Sequence, residues 1–216
     1  MIVEEVKKKV MNIKLPGKEL TIQVVENIEA LITDLSDEDK VPCWADIWPA
    51  SLGMAQFIWE HLLISEGDTV LELGAGMGLP GITCGLKGAR VTLSDLNPLA
   101  LEIAGENAYL NSIQPVLLQE DWRTFSTGKK YNWLLASDVM YDPKLNPYLG
   151  EIFRNNIAPG GRILISHPWR KATYEFLQSW QEERNFSEEI FIQEVEMEDA
   201  LLPRYRIFIH LLKALA

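Results

Sequence analysis

The stretch Leu71-Glu72-Leu73-Gly74-Ala75-Gly76-Met77-Gly78-Leu79-Pro80-Gly81 decides the fold. Its first residues continue a short apolar run from Thr69, of a length that suits a buried strand. Glycines then fall at Gly74, Gly76 and Gly78, after which Leu79-Pro80 opens a helix. A first-turn proline fits there, because the N–H it lacks would have no intrahelical partner. The glycines let the chain turn sharply and let a ligand approach backbone that a Cβ would shield.

Outward from that unit, strand-like runs alternate with helical stretches, the pattern of a mostly parallel sheet covered on both faces. Strands are expected near residues 69–73, 90–94, 115–118, 133–137, 161–166, 189–196 and 205–211, and helices over 79–87, 98–111, 147–157 and 172–183. Pro98 sits in a first turn like Pro80, and Pro159-Gly160-Gly161 is read as ending a helix and turning into a strand. The last two strands have no room for a helix between them, so they are expected to form an antiparallel hairpin. Before the core, residues 11–26 carry Leu15-Pro16-Gly17-Lys18 between two alternating runs and read as a β-hairpin. A solvated loop is expected at 35–40, then an amphipathic helix over 51–63 capped by Ser51. The fold class is therefore α/β: a Rossmann-like, doubly wound seven-stranded sheet with an antiparallel C-terminal hairpin, plus an N-terminal hairpin and helix. One domain is expected over 1–216, with 1–64 supplying the hairpin, loop and helix and 65–216 the Rossmann-like core.

Composition narrows the function. With 47% hydrophobic and 24% charged residues, the chain has the make-up of a globular protein rather than a disordered one. Its apolar runs are too short to cross a bilayer and its N-terminus mixes Glu with Lys, so no membrane association and a cytoplasmic location are expected. A formal net charge of −11 would repel a polyphosphate backbone, which argues against nucleic acid as the main partner and suits a lysine-bearing one, beside its plain role in solvating an acidic surface. Cys43 and Cys84 stand alone, away from any His or Cys at ligand spacing, so no metal is expected.

The glycine segment also contains Gly76-x-Gly78-x-x-Gly81, which satisfies the dinucleotide fingerprint and keeps a nicotinamide-dependent oxidoreductase in view. Two carboxylates bear on the choice. Glu72, two residues before Gly74, could take a cationic amino-acid moiety but would repel a pyrophosphate. Asp95, ending the next strand, could accept from two ribose hydroxyls, a role shared by enzymes of NAD and of S-adenosylmethionine. Asp121, in Gln119-Glu120-Asp121-Trp122 after the third strand, could accept from an adenine amino group while Trp122 covers the ring.

Three pieces together resemble the seven-β-strand class I methyltransferases, and within them the family 16 protein methyltransferases. They are Pro42-Cys43-Trp44-Ala45-Asp46-Ile47-Trp48-Pro49-Ala50, the run from Glu72 to Gly78, and Ser137-Asp138-Val139-Met140-Tyr141, which matches the family's Asp-x-x-Tyr motif. The resemblance implies S-adenosyl-L-methionine as cofactor and a protein lysine as methyl acceptor, and known members modify mostly lysine, with at least one relative assigned to arginine. It also implies that Trp48, Gly74, Ala75, Gly76, Gly78, Asp95 and Trp122 contact the cofactor. Ala136 would approach the adenosine or methionine part, and Asp138 and Tyr141 would frame the acceptor. A monomer is expected.

A lysine ammonium has no free lone pair, so the site must favour the amine; aromatic walls would lower its pKa while the charge of Asp138 would raise it. Asp138 is expected to bind and orient the ammonium, with Tyr141 shaping a channel for the aliphatic stem. His167, in His167-Pro168-Trp169-Arg170 after the fifth strand, could assist proton removal, and Arg170-Lys171 is read as surface solvation. A small-molecule methyltransferase of the same fold is the alternative, because fold alone does not decide acceptor class.

Overall fold

A computed structural model describes residues 6–32, 41–61, 64–182, 186–197 and 203–214. The loop expected at 35–40 lies outside the described residues, as do Leu62, Leu63 and Glu183 at the ends of two expected helices.

The chain opens with a hairpin of β1 (Lys8–Leu15) and β2 (Lys18–Val25). Leu15 pairs with Lys18 across Pro16-Gly17, where Gly17 takes the positive φ of 72° that this two-residue turn requires. Helix α1 (Pro49–His61) follows. It begins two residues before Ser51, which therefore lies inside the helix and does not cap it. Pro49 tolerates the first helical position, and Trp48 C=O already accepts from Leu52 N–H.

The core then alternates as expected: β3 (Thr69–Leu73), α2 (Leu79–Leu86), β4 (Arg90–Asp95), α3 (Pro98–Leu110), β5 (Val116–Gln119), β6 (Tyr131–Ser137), α4 (Asn146–Asn156), β7 (Ile157–His167), α5 (Lys171–Glu182), β8 (Phe186–Glu196) and β9 (Arg204–Ala214). The strand order is β5-β4-β3-β6-β7-β9-β8, with β9 antiparallel to both β7 and β8. The boundary between α4 and β7 departs from the sequence reading. Strand β7 starts at Ile157, so Pro159-Gly160-Gly161 falls within it rather than ahead of it. The ladder steps from Tyr131–Ile157 to Trp133–Arg162, and Gly160 at φ 69° absorbs the extra residues as a bulge.

Successive residues of β3 serve opposite layers. Val70 joins the core formed with α1, α2, α3 and the hairpin, whereas Leu71 and Leu73 join the core formed with α4 and α5. That is why the run reads as continuously apolar rather than alternating. The hairpin is fastened by two asparagines one turn apart, Asn107 on α3 and Asn111 at its C-cap. Asn107 Oδ1 accepts from Gln23 N–H at 2.7 Å and its amide donates to Gln23 C=O at 3.0 Å. Asn111 makes the same pair of bonds to Thr21, at 3.2 and 2.8 Å. One helical turn matches two residues of strand, so the side-chain amides complete the edge of β2 as a further strand would.

Candidate active site

Strand order reverses direction between β3 and β6, and ligands of open α/β sheets lie beyond the carboxyl ends of the strands at such a point. A cavity of about 500 Å³ opens there. Gly74, Ala75 and Gly76 form its floor, with Asp95 and Asp121 on one side, Asp138 and Tyr141 on another, and Trp48 at the mouth.

The floor is shaped by absent Cβ atoms. A Cβ on Gly74, at φ 61°, would come within 2.7 Å of Val139 Cγ1 and 3.1 Å of the Trp122 ring. One on Gly76, at φ 50°, would meet Trp44 C=O at 3.2 Å. Gly78 lies outside the lining. It takes the left-handed turn that starts α2, packed under Leu93 and Ala104.

Glu72 is buried but reaches the cavity lining, and its Oε2 accepts from Gly81 N–H at 2.9 Å. Burial pushes its carboxyl up to about 8, against the pull of that N–H. Asp95 accepts from Gly76 N–H through one oxygen and Asn97 N–H through the other, both at 2.9 Å, tying the glycine loop to the next turn. Its carboxyl is also raised by burial and drawn back by those donors. Asn97, not Asp95, caps α3, accepting from Leu99 and Ala100.

Asp121 lines the cavity but already binds Arg123, whose Nε lies 2.9 Å from its Oδ1. This contact lowers the carboxyl's pKa. Trp122 lays its ring beside Gly74, as a cover would. Trp48 is 45% exposed at the mouth and is steadied by donating Nε1–H to Cys43 C=O. Ala136 is the clear departure. It is wholly buried in the core formed with α4 and α5 and does not line the cavity; Ser137, with the opposite facing, does.

The Asp138–Tyr141 end of the cavity differs most from the sequence reading. Asp138 has φ 53°, a conformation unusual for a residue with a side chain, and its N–H donates to Ser166 C=O at 2.8 Å. Its carboxylate is not open for an ammonium. Arg170 forks onto it, with Nε on one oxygen and Nη2 at 2.8 Å from the other. The guanidinium also sits 6.0 Å from the centre of the Tyr141 ring. The hydrogen bond to Asp138 raises the pKa of Arg170, while burial drives the Asp138 carboxyl upward against the guanidinium's pull. Arg170 is thus a site residue that sequence reasoning placed on the surface; its position at the carboxyl end of β7 was the available signal. His167 does not line the cavity either. It is buried, and its Nδ1 accepts from Arg170 N–H at 2.8 Å.

A family model described as lysine methyltransferase matches residues 26–195. The chain belongs to that family. Among curated relatives, it is 34% identical over 105 residues to rat histone-arginine methyltransferase METTL23, covering 45% of this chain and 47% of that protein. It is 30% identical over 131 residues to the zebrafish (Danio rerio) electron transfer flavoprotein beta subunit lysine methyltransferase, covering 60% and 51%. The chain therefore spans about half the length of these relatives. The solved N-methyltransferase NodS from Bradyrhizobium japonicum WM9, in complex with S-adenosyl-L-homocysteine, superposes with a TM-score of 0.61. At 16% identity, over 88% of this chain and 99% of that one, this likeness speaks to the fold.

Proposed function

We propose that this family member is an S-adenosylmethionine-dependent N-methyltransferase acting on a protein side chain, a lysine in the first instance. The observation that carries the reading is one continuous cavity joining a Cβ-free floor and Asp95 to Asp138 and Tyr141. The cofactor supplies a methyl group on a sulfonium that needs only an amine lone pair. The residues present fit it. Asp95 keeps lone pairs for ribose hydroxyls beyond its two backbone donors, and Trp122 offers a flat face above the Gly74 floor. Glu72 is raised to about 8 by burial, and a cation bound beside it would draw it toward the carboxylate. The enzyme's remaining task is positioning, which rigid walls at the ends of β3, β4 and β6 provide.

A second reading has its own observation. Asp138 and Tyr141 together hold a guanidinium in this structure, which is the geometry an arginine acceptor would need. The two readings separate by mass spectrometry of the residue labelled when the protein is incubated with labelled cofactor and lysate.

Titration calorimetry with S-adenosylmethionine, S-adenosylhomocysteine and NAD tests the common core. Binding of the first two, absence of NAD binding, and loss of binding in Asp95→Ala are expected. NAD binding alone would return the glycine loop to a dinucleotide role.

A further inference from the structure

Behind Arg170 runs a chain of hydrogen bonds, buried at its centre and part-buried at both ends, that the proposed reaction does not use. Arg170 N–H can only donate, so the His167 Nδ1 that receives it carries no proton. The His167 ring is then neutral with its proton on Nε2, in keeping with a burial-depressed pKa of about 3. That Nε2–H faces His210 Nε2 at 2.9 Å, which must accept. His210 therefore carries its proton on Nδ1, 2.6 Å from the Glu188 carboxylate. Every donor meets an acceptor in one arrangement of protons, and reversing any ring sets two N–H groups face to face.

The sheet builds this chain from diagonal neighbours. His167 pairs in register with Phe208, and Glu188 with Leu212, so both lie two residues along from His210 on one face. Both histidines are 1% exposed. Neither they nor Glu188 line the cavity. The chain ends on the backbone of the residue whose side chain forks onto Asp138. It also lies beside Trp169, which is held at φ 57° with its ring 4.5 Å from Phe208.

We propose that His210 and Glu188 are positioning residues of the acceptor end: through His167 they fix the backbone at Arg170, and so the Arg170–Asp138 pair. This rests on reading the Asp138–Tyr141 end as the acceptor side. A fixed pair has a consequence for substrate. With Asp138 paired to Arg170, its carboxylate no longer holds an incoming amine as ammonium, which favours the nucleophilic form.

The protein has three histidines, so a ¹⁵N ring spectrum resolves the proton arrangement directly. His167 bare at Nδ1 and His210 bare at Nε2 at pH 7 are expected; His167 protonated at Nδ1 overturns the proposal. The Arg170 Nε–H signal, assigned by its loss in Arg170→Lys, should exchange several-fold faster in His210→Leu. His210→Gln, which can both accept and donate, should restore it. Glu188→Ala, nearer the sheet edge, repeats the test should His210→Leu not fold. An unchanged Arg170 signal in a folded variant overturns the proposal. S-adenosylhomocysteine affinity should be equal in the wild type and in the His210 and Glu188 variants, none of which alters the cavity lining, and its absence in the wild type would count against the methyltransferase reading while the ring spectrum still decides the hydrogen-bond chain.

Discussion

Glu72 is 2% exposed, and burial holds its carboxyl protonated up to about 8, well above its ordinary 4.5. A cation arriving in the cavity favours the carboxylate, so S-adenosylmethionine should bind with release of a proton at pH 7. Calorimetry in buffers of different ionisation enthalpy reads this as a buffer-dependent heat, and Glu72→Gln should remove the dependence. Gly74→Ala adds a Cβ against Val139 at a positive φ, strain on the order of 1–3 kcal/mol. It should lower the urea midpoint and abolish S-adenosylhomocysteine binding. His167 carries the sign of its depressed pKa: the unfolded ring takes a proton near 6.5 and the folded ring only near 3. Stability is therefore fully present above 6.5 and lost as pH falls toward 3. Urea unfolding of His167→Gln across that range should show a shallower acid slope than the wild type.

Elements meet through contacts that no local pattern announces. Asn107 on α3 and Asn111 at its C-cap read as ordinary polar residues, yet they supply the missing neighbour of β2. Asn107 also donates to Met77 C=O at 3.1 Å, linking hairpin, helix and glycine loop. Asn107→Leu leaves these backbone groups unpaired, at about 1–3 kcal/mol for each that stays buried. Hydrogen exchange at the Gln23 amide should accelerate while amides of β7 stay protected. The Asp138–Tyr141 end of the cavity is likewise an agreement between elements, with Asp138 just after β6, Arg170 from the turn after β7, His210 from β9 and Glu188 from β8.

Across the whole molecule, the two layers of helices and the sheet leave their opening at the switch between β3 and β6, where the cavity lies. A ligand filling that opening binds the folded chain alone and stabilises it by mass action. At a hundred times its dissociation constant this amounts to about 2.7 kcal/mol. For a chain of 216 residues that corresponds to a rise in Tm of roughly 5–10 °C. Thermal scans with S-adenosylhomocysteine should show the rise, and scans with NAD should show none.

The sequence by itself determined the sheet, its closing hairpin, the glycine turn and the two carboxylates Glu72 and Asp95. Those features are local, because period, turn chemistry and glycine placement act over a few residues. Helix ends were read less well. Ser51 looked like a cap by type, while Pro49 and the backbone of Trp48 had already begun α1. Ala136 sits next in sequence to Ser137, yet strand pleating turns the two to opposite layers, and adjacency alone does not say which faces the cavity. The Arg170 fork on Asp138 and the His167–His210–Glu188 chain were decided only by tertiary structure. They join residues 22 to 43 positions apart, and hydrogen-bond partners across strands follow from register, which exists only once the sheet has formed.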